Sequence, residues 1–116
     1  MSLRRVLIVE DDAPLRAAIG RELAGKFETR AVASFDEAIA ALDELGDLFA
    51  VVTDHNLGAG RTGRDLLTVV ALRLPRCVRV LVSGTPGANA HAEGGHFIRK
   101  PWDRDEILTT LQGASP

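Results

Sequence analysis

Five short strand-like runs, three of them mostly apolar and each followed by a polar or charged residue, constrain this chain more than any other feature. The first covers residues 4–9 and ends at Glu10; the third covers 49–53 and ends at Asp54; the fourth covers 77–82 and ends at Ser83. Two weaker runs, 28–33 and 96–99, end at Ser34 and Lys100. Continuous apolar stretches of this length suit strands buried on both faces rather than strands with one wet side.

Helical periodicity fills most of the intervals. Pro14 stands where a helix would begin, and Leu15, Ala18, Ile19 and Leu23 recur at helical spacing until Gly25. Ser34 and Glu37 have capping-box spacing ahead of Ala38, Ile39, Leu42 and Leu45, with Gly46 as the stop. A third helix from about Thr62 carries Leu66, Leu67, Val70 and Leu74 and is ended by Pro75. Asp103 and Glu106 form an N-terminal cap for a last helix with Ile107, Leu108 and Leu111. Residues 86–95 break the pattern, with three glycines, no large hydrophobe and no periodicity, so the fourth helix of the series is shortened or missing. At 116 residues and 46% hydrophobic the chain supports one core, read as a single domain over 1–116. Alternating strands and helices predict an α/β fold: a flavodoxin-like, doubly wound five-stranded parallel sheet of order 2-1-3-4-5. Ligands of such sheets sit beyond the carboxyl ends of the strands at the switch point, between strands one and three in this order.

Composition narrows the function. Fourteen Lys and Arg against sixteen Asp and Glu give a net charge of −2, with no polybasic surface for direct binding of nucleic acid or anionic membrane. The single Cys77 excludes an internal disulfide and, with no secretory or membrane-spanning segment, suits a reducing cytoplasm. His55, His91 and His96 have no ligand spacing.

The carboxyl ends of the five runs bring together Glu10, Asp11, Asp54, Ser83 and Lys100. Clustered carboxylates raise one another's pKa values unless a cation compensates them. Mg²⁺ favours oxygen ligands, retains waters, and takes one or two carboxylates plus a phosphate oxygen. Lys100 is one of only two lysines against twelve arginines, and a compact ammonium beside Arg99 argues that a guanidinium fork would not serve there.

Four pieces, Val-Leu-Ile-Val-Glu-Asp-Asp, Val-Val-Thr-Asp-His-Asn-Leu, Val-Leu-Val-Ser-Gly and Phe-Ile-Arg-Lys-Pro, resemble the response-regulator receiver family, in order and each at a predicted strand end. The resemblance spans nearly the whole chain. It implies that Asp54 accepts a phosphoryl group from a histidine kinase phosphohistidine or a phosphotransfer protein, with Lys100 and Ser83 assisting. It also implies Mg²⁺ held by Asp11, Asp54 and the Asn56 carbonyl, with Glu10 acting through water. Ser83 and Phe97 would form the switch, Thr85 and Asn56 would tune hydrolysis, and Pro101 would follow a cis bond. Such a domain promotes its own phosphorylation and dephosphorylation without being a conventional turnover enzyme. The shortened segment 86–95 argues against a family-type dimer through that face.

Three rivals are weighed. Gly58-Ala59-Gly60-Arg61-Thr62-Gly63 matches the dinucleotide-binding pattern, but it opens the third unit instead of the first, and Ser83 stands where the ribose-binding acid belongs. A haloacid-dehalogenase-like phosphatase would place its nucleophile after strand one. A degenerate receiver serving only as a docking module is disfavoured because all five chemical positions are filled. The loop after Asp54 is one residue longer than the family's usual length, and the interval from Ser83 to Lys100 is several residues shorter.

Overall fold

The computed structural model describes residues 3–84, 95–100 and 105–114. Nine elements follow in order among the described residues: β1 (Arg5–Val9), α1 (Ala13–Leu23), β2 (Glu28–Val32), α2 (Phe35–Leu45), β3 (Ala50–Asp54), α3 (Gly63–Arg73), β4 (Val78–Ser83), β5 (His96–Arg99) and α4 (Glu106–Gly113). All strand pairs are parallel, in the order β2-β1-β3-β4-β5 expected from the sequence. The readings of residues 86–94, Thr85 and Pro101 lie outside the described residues, as does Asp103.

Strand alternation divides the apolar residues between two layers. Leu7, Val9, Val51 and Leu81 point to the side covered by α2 and α3, where they meet Ala38, Leu42, Leu66 and Val70. Val6, Ile8, Val52, Val80 and Val82 point the other way, against Ile19 and Leu23 of α1 and Ile107 and Leu111 of α4. Fully burying each such aliphatic side chain contributes about 1.5–3 kcal/mol before entropy is counted. This sandwich holds the strand ends rigidly at one edge. Cys77 lies in the α2/α3 layer, and burial pushes its thiol up to about 12, as befits an unreactive core residue.

The helix starts show local chemistry overriding simple patterns. In α1 the N-cap is Asp12, whose Oδ2 accepts from Leu15 N at 3.0 Å, with Pro14 in the first turn. In α2 Ser34 Oγ accepts from Glu37 N at 3.1 Å, but Glu37 Oε1 reaches Ala33 N at 2.9 Å instead of closing the box on Ser34. The last helix corrects the expected cap: α4 starts at Glu106, after Asp105, which is left-handed (φ 68°) and makes no side-chain cap bond. Glu22 of α1 supplies that acceptor from a distance, its Oε2 taking the Leu108 N–H at 2.8 Å. Helix α4 is therefore tied to α1 through a carboxylate as well as through Ile107 and Leu111. No helix among the described residues is long and apolar enough to cross a membrane.

Candidate functional site

Register brings the polar strand ends together. Val9 pairs with Thr53, Asp54 with Val82, and Ser83 with Arg99, so Glu10, Asp54, Ser83 and Lys100 all fall at one edge. Glu10 continues β1 by donating its N–H to Val32 O at 3.1 Å, and its carbonyl accepts from Arg16 Nη1 at 2.9 Å. Its Oε1 accepts from Asp12 N at 3.2 Å. Because Asp12 is spent on capping α1, Asp11 is the acid of this loop that joins Glu10 and Asp54. Carboxylate oxygens of those three residues all lie within 4.8 Å of one another.

Burial makes this grouping costly without compensation. Glu10 is 1% exposed and Asp54 7%, while Asp11 is open to solvent. Lys100 Nζ sits 2.9 Å from Asp54 Oδ1 and 3.5 Å from Glu10 Oε2. At the second distance the contact is an ion pair, and Glu10 Oε2 makes no hydrogen bond although it is fully buried. Burial, followed by the Asp54 charge, pushes the Glu10 carboxyl up to about 7, against the opposing Asp12 N–H and Lys100 charge. Burial disfavours the Lys100 ammonium, but its hydrogen bond to Asp54 and the Glu10 and Asp54 charges outweigh this and raise its pKa. Three ionised carboxylates and one ammonium would leave two negative charges, which one divalent cation cancels. The orphaned Glu10 Oε2 and the all-oxygen donor set fit a hard cation such as Mg²⁺.

The loop from β3 to α3 is closely determined. Leu57 is buried in the α2/α3 layer, Asn56 bridges Thr62, and Gly58, Ala59 and Gly60 are all left-handed, at φ 74°, 52° and 76°. At Gly63 the α3 start passes so close to β3 that a Cβ would overlap the Asp54 carbonyl oxygen. Gly63 N donates to His55 O at 2.7 Å, Thr62 N to Asp65 Oδ2 at 3.0 Å, Asp65 N to Thr62 Oγ1 at 3.1 Å and Arg61 N to Gly58 O at 3.0 Å. The amides of residues 61–63 and 65 are thereby consumed within the chain and are not free to cradle a pyrophosphate.

The other predicted residues are distributed around this centre. Ser83 ends β4 at 1% exposure and its carbonyl accepts from Lys100 N at 3.0 Å. Phe97 is half-buried against the α2/α3 layer, and Asn56 is exposed on the loop after Asp54. Sequence reasoning missed three contributors: Arg16 on the Glu10 carbonyl, Glu22 on α4, and Gly63 against Asp54. Only Gly63 offered a hint, as a poor helix former at the start of a helix.

No protein-family model matches the chain. It is 31% identical over 115 residues, 94% of its length, to the hydrogenase transcriptional regulatory protein HoxA of Cupriavidus necator, and spans 23% of that protein. A CheY-like response regulator receiver domain from Methylobacillus flagellatus superposes with a TM-score of 0.81 at 27% identity, over 96% of this chain and 98% of that one. A response regulator receiver protein from Sinorhizobium medicae gives 0.85 at 23% identity over 95% and 92%. The signal receiver domain of an HD domain-containing protein from Pseudomonas fluorescens gives 0.83 at 20% identity, over 95% and 92%. With the strand order and the helices on both faces in agreement, the chain has the CheY-like receiver fold of the response regulators.

Proposed function

We propose that the chain is a phosphoacceptor receiver domain of a two-component system, in which Asp54 takes a phosphoryl group in a Mg²⁺-dependent reaction. The observation that carries this reading is Lys100 Nζ at 2.9 Å from Asp54 Oδ1 inside the Glu10, Asp11 and Asp54 cluster. An ordinary surface ion pair would not be placed against a second buried carboxylate at the switch point of the sheet.

In this reading a carboxylate oxygen of Asp54 attacks the phosphorus of a phosphohistidine on a histidine kinase or phosphotransfer protein. The new O–P bond forms as the N–P bond breaks, and the electron pair returns to the imidazole. Lys100 holds Asp54 in place and faces the charge of the incoming group. Asp11, Asp54 and the Asn56 carbonyl would hold Mg²⁺, with Glu10 acting through water; the ion supplies charge neutralisation for the phosphoryl oxygens. Catalysis is then positioning and electrostatics, which a domain without a turnover cycle of its own can provide. The Ser83 hydroxyl, at the end of β4, would respond to the added charge, and Phe97 would follow it inward, altering docking to a partner protein.

Incubation with Mg²⁺ and acetyl phosphate should add one phosphoryl mass to the wild type and none to Asp54→Asn. A wild type that stays unlabelled under conditions that label a control receiver, and that also ignores beryllofluoride, would leave only a docking module.

A further inference from the structure

We infer that Arg61 is a positioning residue for the acidic edge, its guanidinium clamped on the Phe35 ring so that the β3–α3 loop presents the Asn56 carbonyl. The inference rests on the reading of that carbonyl as a Mg²⁺ ligand. The Arg61 Cζ lies 4.7 Å from the centroid of Phe35, within the range of a cation–π contact.

The exposed turn of the loop has a side-chain hold besides its backbone bonds. Asn56, Gly58, Ala59, Gly60 and Arg61 are all exposed, and Ala59 occupies the left-handed region that an L side chain adopts only under constraint. The backbone closes the loop through the Gly63 N to His55 O bond, the Arg61 N to Gly58 O bond and the Asn56–Thr62 bridge, while residues 58–61 face solvent except where Arg61 meets Phe35. Leu57 and Arg61 reach across to the α2 side, Leu57 by burial in the shared core and Arg61 by its contact with Phe35. Leu57 sets the depth of the loop at one residue. Arg61 stands on the far side of the left-handed turn and fixes its return.

The anchor is well chosen. Phe35 is 8% exposed and opens α2 directly after the Ser34 N-cap, so its ring cannot swing away without disturbing the helix start. The strand leading into that start ends at Val32, whose carbonyl also accepts the Glu10 N–H. Both loops of the acidic edge therefore hang from one junction, the Glu10 loop by a backbone bond and the Asn56 loop by Arg61. A planar guanidinium suits this role better than an ammonium because it stacks flat on a ring while keeping its donors in water.

The test uses Arg61→Ala, Arg61→Lys, Phe35→Leu and the double variant Arg61→Ala/Phe35→Leu, all checked for a cooperative melt. Hydrogen exchange at residues 58–63 without Mg²⁺ reads the clamp, and calorimetric Mg²⁺ titration reads the ligand geometry. Arg61→Ala should speed exchange across 58–63 and weaken Mg²⁺ binding by about three- to tenfold, the scale of one partly exposed cation–π contact expressed as a loss of the competent loop population. Phe35→Leu should do the same, Arg61→Lys should lie between, and the double variant should be no worse than either single one. A purely structural role would lower the melting temperature and leave the affinity of the folded protein unchanged. Unchanged exchange in Arg61→Ala overturns the clamp, faster exchange with unchanged affinity overturns the positioning role, and additive single effects overturn the pairing with Phe35. A wild type that binds no Mg²⁺ would overturn the metal reading and the positioning role with it, while exchange would still decide the clamp.

Discussion

Glu10 should make the Mg²⁺-free protein lose stability as pH rises through a range where most proteins are steady. Its carboxyl titrates near 4.5 in the unfolded chain and at about 7 in the folded one, because burial and the Asp54 charge oppose ionisation. A raised folded pKa means the native state holds the proton more tightly. The stabilisation is complete below about pH 4.5 and is lost as pH rises through about 7. At about 1.4 kcal/mol for each pH unit separating the two values, the span corresponds to roughly 3 kcal/mol. Glu10→Gln keeps the size and removes the titration, so urea denaturation of both proteins in a chelator, from pH 4.5 to 8, isolates the effect. The variant should gain on the wild type by about 3 kcal/mol across that window, and Mg²⁺ should restore the wild type at the upper end, since the cation selects the ionised carboxylate. Parallel profiles for the two proteins would show that Glu10 ionises freely and that the site is not electrostatically strained.

Three further outcomes are expected. Gly63→Ala should destabilise the fold by about 1–3 kcal/mol in urea denaturation, because the new Cβ meets the Asp54 carbonyl with no room to relax. Glu22→Ala should cost about 1 kcal/mol and raise hydrogen exchange selectively in α4, whose Leu108 N–H loses its acceptor. Asp11→Asn should weaken Mg²⁺ binding measured by calorimetry at least about tenfold, a loss typical even of groups behind the ligands, and equal binding by both proteins would remove Asp11 from the ligand set.

The architecture was legible because buried strands and capped helices leave strong one-dimensional traces. The stretches 6–9 and 80–82 are apolar throughout because both faces are covered, and their carboxyl ends were marked by Glu10 and Ser83. Gathering the acids required only the strand order, since a parallel sheet delivers every strand end to one edge. What escaped the sequence were contacts between distant residues with no periodic signature. Glu22 reads as an ordinary charged position on α1, yet it caps a helix 86 residues away. The same blindness hid the start of α4, which follows a left-handed Asp105 and whose Leu108 N–H finds its acceptor on another helix.

The loop between Asp54 and α3 is pinned at both ends. Those ends are the Asn56–Leu57 step and the start of α3. Neither is free to move: Gly63 is packed against the Asp54 carbonyl and bonded to His55 O at 2.7 Å, and Leu57 is buried in the same layer as Phe35. The turn lies between them, where Gly58, Ala59 and Gly60 curl left-handed and Arg61 N closes back on Gly58 O. Two of the three left-handed positions are glycines, which bear that geometry at little cost, and the third is an alanine held by closures on both sides. The glycine-rich stretch that matches a dinucleotide-binding turn thus serves chain geometry: its left-handed glycines let the chain turn between β3 and α3 while Gly63 packs on the Asp54 carbonyl.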